Sequence, residues 1–485
     1  MRAFFLGLLA ATTFVAADHG KADADLAWFQ SEIDLLAKLQ ARLTGSPTHN
    51  ILIAHIESSL KAIGFFVQSD TISFSYNDPP VVQPILAVHG QLQSIQLAGA
   101  IPYSGTNLST VTGKLVNVMT TNSSAATDWA PAKGAIAIAN LTNTALNFNT
   151  LFGTWSTLPV PFPAAIGVPA VSAVGGTNLA AAADAGVRGV VYVWDGISTE
   201  LADAQYIPFQ ESNPAIPGVF VATSKAAEQL VAAAASGSTG TLSLPEVRIP
   251  NVHSRTLYVV VPGTDKSLRN ETAILSTHTD GVNALEENGH IALLHYAKQL
   301  KAHPPRRTTI LLFVTGHMHY GQLVPAPQRA TNVWLSAHPE LWNGTVGKTA
   351  VFGSCVEHLG GVKFVENLSK NTYTITDALE PEWLFASSSS LASLTQELWS
   401  GVEPNITRVL NPNTGQIPQS GEGRPLLVAG IPEVSLVTSP PWLLKIYGKD
   451  FDERKLINTE ALARQVLSFE RIWDAADQMG ASEFK

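Results

Sequence analysis

The chain has 485 residues, 45% of them hydrophobic and 14% charged, which excludes disorder over most of its length and supplies a large core. With 30 Lys+Arg against 39 Asp+Glu the formal net charge is −9, so bulk charge offers nucleic acid no attraction. The single cysteine, Cys355, excludes an intrachain disulfide and a cysteine-based zinc cluster. Any chemistry must rest on His, Asp, Glu, Ser or a bound ion.

Met1-Arg2 precedes an apolar run from Ala3 to Ala16, and Val15-Ala16-Ala17 supplies small residues at cleavage spacing. This predicts a signal peptide over 1–17 and a mature chain from Asp18. The run is too short for a comfortable membrane span, and no membrane association is expected. Acceptor sequons at Asn107, Asn122, Asn140, Asn270, Asn343, Asn367 and Asn405 suit a secreted, extracellular glycoprotein.

Leu26, Phe29, Ile33, Leu36 and Leu39 recur at helical spacing, and Thr44-Gly45-Ser46-Pro47 interrupts them. A second helix is predicted near His49 to Lys61, stopped by Gly64, followed by a strand within Phe65 to Phe74. From about Leu97 to Leu244 the texture turns to short β-runs and small residues. Lys133 to Ile138 and Gly189 to Val193 read as buried strands, and Ala180 to Gly186 and Lys225 to Ala235 as helices. From Val252 strands and helices alternate: Leu257 to Val261, Ala273 to Ser276, Thr309 to Val314 and Ala350 to Phe352 against Ile291 to Leu300, Leu391 to Leu398 and Leu462 to Trp473. Such continuous apolar strands indicate an α/β sheet covered on both faces. No internal repeat is present.

Ligands of open α/β sheets bind beyond the carboxyl ends of strands. Three predicted strands end in ionisable residues: His278, Asp280, Glu286 and Glu287 after the first, His317 and His319 after the second, Glu357 and His358 after the third. If the strands are parallel these converge on one edge, where a divalent ion explains them, since zinc takes imidazole nitrogen and carboxylate oxygen. In an extended segment His317 and His319 point to one face. Asp280 can bind metal or orient the His278 ring. Glu286 and Glu287 also suit a helix N-terminus without any metal, and His290 and His295 read as structural. Neither a Gly-x-Ser-x-Gly elbow nor a reactive setting for Cys355 is apparent.

These residues resemble the family of secreted co-catalytic zinc aminopeptidases and carboxypeptidases that carry a protease-associated domain. The likeness runs through Leu43 to Asn50, Leu60 to Gly64, Lys133 to Ile138, Asp184 to Gly189, Ile216 to Val219, Asn251 to Thr264 and Gly430 to Leu436, in the family's order. It implies a zinc-exopeptidase-like mixed sheet with helices on both faces, split as 18–95 and 246–485 around a β-rich protease-associated insert over 96–245. It further implies one zinc on His278, Glu357 and a bridging acid at Glu286 or Glu287, with Glu287 preferred because Asn288 follows, and Asp280 orienting His278. Where the family has Glu-Glu, this chain has Met318 at the base position and His319 at the ligand position of a second, doubtful metal. The family's final His is missing from Pro440 to Lys445. A thioether cannot accept a proton, which leaves His317 as the candidate base. The expected function is a metal-dependent exopeptidase-like hydrolase acting on peptides. The alternative is a catalytically silent peptidase fold that binds peptide or protein partners.

Overall fold

The structure, a computed structural model, describes residues 25–78, 84–91, 94–105, 110–120, 127–142, 145–146, 152–154, 165–166, 178–206, 215–222, 225–244, 247–322, 329–401, 406–412, 421–438 and 440–484. The expected signal peptide and the sequons at Asn107, Asn122 and Asn405 lie outside them. Among the described residues, no helix is long and apolar enough to cross a membrane.

A nine-stranded mixed sheet forms the centre. Its middle strands, in spatial order Thr308–Val314, Glu271–His278, Thr349–Val356 and Glu433–Leu436, are mutually parallel. Their carboxyl ends therefore share one edge, as the convergence of the ionisable residues required. Val247–Val261 and then Gln68–Asp78 continue the sheet antiparallel on one side. Glu382–Ala386, Thr407–Pro412 and Phe152–Thr154 complete the other.

The middle strands are buried on both faces, which is why their sequences are apolar without alternation. Leu275, Leu311 and Phe313 face a core shared with the helices Pro47–Ile63, His290–Ala302 and Thr459–Gln478. Ile274, Ile310, Leu312 and Val314 face the helix Ala330–Ala337 through Trp334 and Leu335. Each such side chain contributes about 1.5–3 kcal/mol by leaving water.

The break at Thr44–Pro47 is a helix start that also reaches the sheet edge. Ser46 caps the 47–63 helix by accepting from the His49 amide, and Pro47 occupies its first turn. Gly45 has φ +77°, and a Cβ there would collide with the Phe74 ring. Arg42 pairs with Gly281 through two main-chain hydrogen bonds of 2.7 and 3.1 Å.

A second sheet of eight strands is drawn from 85–243, so Ile85–Val88 and Ile95–Gln96 already belong to it, ahead of the expected start at 96. Phe152–Thr154, inside the expected insert, instead pairs with Thr407–Pro412 of the central sheet.

Candidate metal centre

Each side chain of the site is delivered by the edge just described. The 271–278 strand ends on His278, and the 349–356 strand runs straight into Glu357 and His358. Glu286 sits on the turn before the 290–302 helix, pinned at several points. Asn283 Nδ2 donates to the carbonyls of Leu443 and Lys445 at 2.8 and 3.1 Å, and the Ala284 amide donates to Glu453 Oε2 at 2.8 Å. Asn288 and Leu359 exchange two hydrogen bonds of 2.8 Å, tying this turn to the His358 turn.

Burial pushes the Glu453 carboxyl up from 4.5 to about 7, although the Arg42 charge and the Ala284 amide oppose the rise. The folded state thus holds a proton that the unfolded chain releases near pH 4.5. The stability this contributes is fully present below pH 4.5 and is lost as pH rises through about 7, on the order of 3 kcal/mol in all. Glu453→Gln keeps an acceptor for Ala284 and should flatten that decline in denaturant titrations at pH 5 and pH 8. An unchanged pH slope would remove Glu453 from the balance.

Ligand atoms of His278, Glu286 and His358 all lie within 4.8 Å of one another, and all three residues are buried. His278 Nδ1 lies 2.8 Å from the Asp280 carbonyl, and His358 Nδ1 lies 2.8 Å from the Thr438 carbonyl. A carbonyl only accepts, so both rings carry hydrogen on Nδ1, and in the neutral ring the lone pair lies on Nε2. This is the arrangement in which an outer partner presents an imidazole to a metal. Four buried atoms have no hydrogen-bond partner here: Nε2 of His278 and His358 and Oε2 of Glu286 and Glu357. Glu357 Oε2 stands 4.0 Å from His358 Nε2. Leaving four such atoms dry is costly unless a cation joins them, and two nitrogens with carboxylate oxygen form a donor set zinc accepts. His358 is held at φ +59°, a strained conformation for a residue with a Cβ. Gly421, at φ +75°, leaves room for Glu357 Oε2, which a Cβ would strike.

The electrostatics favour a cation at this cluster. Burial pushes Glu286 up to about 8, aided by Asp280, Glu357 and Glu287 and opposed by His278. His278 is lowered by burial but raised more strongly by Glu286, Glu357, Asp280 and Glu287, to about 9. Burial holds His358 down to about 4, so its ring is neutral and able to ligate. Glu357 and Glu287 are lowered in spite of burial, by neighbouring imidazoles and, for Glu287, by Arg42 as well.

Several sequence expectations are corrected. Glu287, the preferred bridging acid, turns away. Its Oε2 lies 3.3 Å from Arg42 Nε and its Oε1 2.8 Å from His290 Nδ1, while Glu286 takes the place beside His278. Asp280 orients His278 through its carbonyl, not its carboxylate. That carboxylate accepts from the amides of Gly316, His317 and Met318 at 3.1, 3.2 and 2.8 Å and from Thr44 Oγ1 at 2.5 Å. Burial works to raise it, but the His49, His278 and His317 imidazoles and the Thr44 hydroxyl outweigh that and hold it at about 2. His317 and His319 do not share a face, because His317–Gln322 is a kinked 3-10 turn and not extended chain. The His317 ring stacks on His278 with centroids 4.2 Å apart. His319 turns toward the second sheet, with Nε2 2.6 Å from Tyr103 Oη and its ring 4.5 Å from Phe74. Glu357 stays at the cluster, its Oε1 accepting from the Glu422 amide at 2.7 Å.

Two residues hold places that the family resemblance did not assign. His358 was named at the strand end, but its ligand-like hydrogen bond depends on Thr438, 80 positions away. Glu422 follows no strand, and its place beside His317 at 2.7 Å left no mark in spacing.

No family model matches this sequence, and no curated protein does. Solved structures do resemble it. A zinc aminopeptidase from Bacillus subtilis superposes with TM-score 0.60 at 15% identity, covering 94% of this chain and 97% of that one. A peptidase M28 precursor from Shewanella amazonensis SB2B gives TM-score 0.61 at 16% identity, over 93% and 95%. An aminopeptidase from Aneurinibacillus sp. strain AM-1 gives TM-score 0.59 at 15% identity, over 91% and 92%. The sequence resemblance therefore holds at the level of the fold.

Proposed function

We propose, starting from the zinc-aminopeptidase fold of this chain, that it is a metal-dependent exopeptidase-like hydrolase of peptides using one divalent ion. His278, Glu286 and His358 would hold the ion, with Glu357 beside it, and the donor chemistry favours zinc. The observation that carries this reading is the set of four buried, partnerless donor atoms meeting at one strand edge. His319, engaged with Tyr103, supports no second ion in this reading.

When bound, such an ion supplies a Lewis acid that polarises a carbonyl and makes water a better nucleophile. The protein must then move the proton. His317 is placed for this, stacked on His278 with Nε2 3.8 Å from Glu286 Oε1. It would take a proton from the attacking water and return it to the departing amine, help worth about 10²–10⁴-fold. Met318 is buried and has no such capacity. Export through the 1–17 segment, glycosylation at exposed sequons such as Asn270, and a protease-associated role for the second sheet belong to the same proposal.

The test is elemental analysis of unchelated protein together with hydrolysis of aminoacyl and N-blocked chromogenic substrates. About one zinc per chain with release from unblocked aminoacyl substrates is expected. Metal without turnover would select a peptide-binding module. No metal would reject the site.

A further inference from the structure

Glu422 is a fully buried acid in the turn before the short helix Arg424–Val428. It joins three parts of the site edge at once. Its Oε1 lies 2.7 Å from His317 Nδ1, its Oε2 accepts from the Thr331 amide at 2.8 Å, and its own amide donates to Glu357 Oε1 at 2.7 Å. Both carboxylate oxygens are thereby held, one by His317 and the other by the first turn of the 330–337 helix. The imidazole can satisfy Oε1 in one way only, by carrying hydrogen on Nδ1. In the neutral ring the lone pair then lies on Nε2, which stands 3.8 Å from Glu286 Oε1.

We infer that Glu422 is a positioning residue for the proposed hydrolysis, fixing the ring orientation and Nδ1–H tautomer of His317 so that Nε2 serves as proton acceptor. The inference rests on the functional reading above and adds to it the pair that makes an imidazole usable where Met318 cannot act. The step balances. An O–H bond of water breaks as its oxygen bonds to the carbonyl carbon, and the proton moves to His317 Nε2. As the C–N bond breaks, that proton passes to the leaving nitrogen. Glu422 stays ionised throughout and faces the transient imidazolium, as the buried acid does in a Ser-His-Asp triad.

The decisive variant is Glu422→Gln in the full chain. It should lower kcat about 10²–10⁴-fold with KM and zinc content unchanged, since a wrong tautomer disables the base without unbinding substrate. Glu422→Asp should recover part of the loss. Adding Glu422→Gln to His317→Ala should cost nothing further, because the two act as one unit. A purely structural Glu422 would instead lower metal content and melting temperature and leave kcat per bound zinc intact, which overturns the inference. A second readout needs no turnover: nitrogen chemical shifts of 15N-histidine-labelled protein should show His317 as the Nδ1–H form, lost in Glu422→Gln. An Nε2–H ring in the unaltered protein overturns the inference whatever the activity. An Nδ1–H ring in a protein that hydrolyses nothing would sink the hydrolase reading and keep the geometry.

Discussion

Replacing His358 with alanine is expected to strip the protein of stoichiometric zinc. His358 Nε2 is one of three ligand atoms within 4.8 Å of one another, and its ring is already set by the Thr438 carbonyl. Removing an outer partner of a metal ligand weakens affinity about 10–100-fold, so removing the ligand itself should exceed about a hundredfold. Competition against a chromogenic chelator would read this directly, with the melting temperature of the chelated forms as a control for folding. His278→Ala should match it. Full zinc retention by His358→Ala would show that the ion, if bound, sits elsewhere.

The adjacent acids Glu286 and Glu287 should separate cleanly. Glu286→Gln should lose the metal, and measured with chelator present it should be as stable as the unaltered chain or more so, because burial already works against that charge. Glu287→Gln should keep the zinc yet destabilise the fold by about 3–5 kcal/mol, since Arg42 would remain fully buried without its carboxylate. Chemical denaturation in chelator, paired with metal analysis, gives both numbers. The opposite assignment of losses would mean that the turn presents Glu287 to the ion.

These contrasts mark where sequence reading succeeds and where it stops. Strands such as Thr308–Val314 were legible because burial on both faces demands an unbroken apolar run. Their parallel order makes every carboxyl end a candidate, so sequence alone points His278, His317 and Glu357 to one edge. Which of two neighbouring glutamates faces inward was not legible, since Arg42, 245 positions earlier than Glu287, decides it. The split between His317 and His319 depends on the three amides that Asp280 gathers into a turn, and local spacing carries no trace of them. Glu422 reaches the site from a turn attached to no predicted strand.

Tyr103 carries a wider consequence. It projects from a turn of the eight-stranded sheet at φ +62°, anchored where Ser104 Oγ accepts from the Gly218 amide at 3.1 Å, and its ring meets His319 edge-on at 5.1 Å. The smaller sheet thus furnishes part of the wall around the loop that bears His317. Excising residues 85–243 to obtain a minimal core would strip the cover from His319, so the trimmed protein would not inherit an intact 317–322 loop. Both sheets thus contact that loop, and a shuffled or transplanted central sheet should be carried together with its companion.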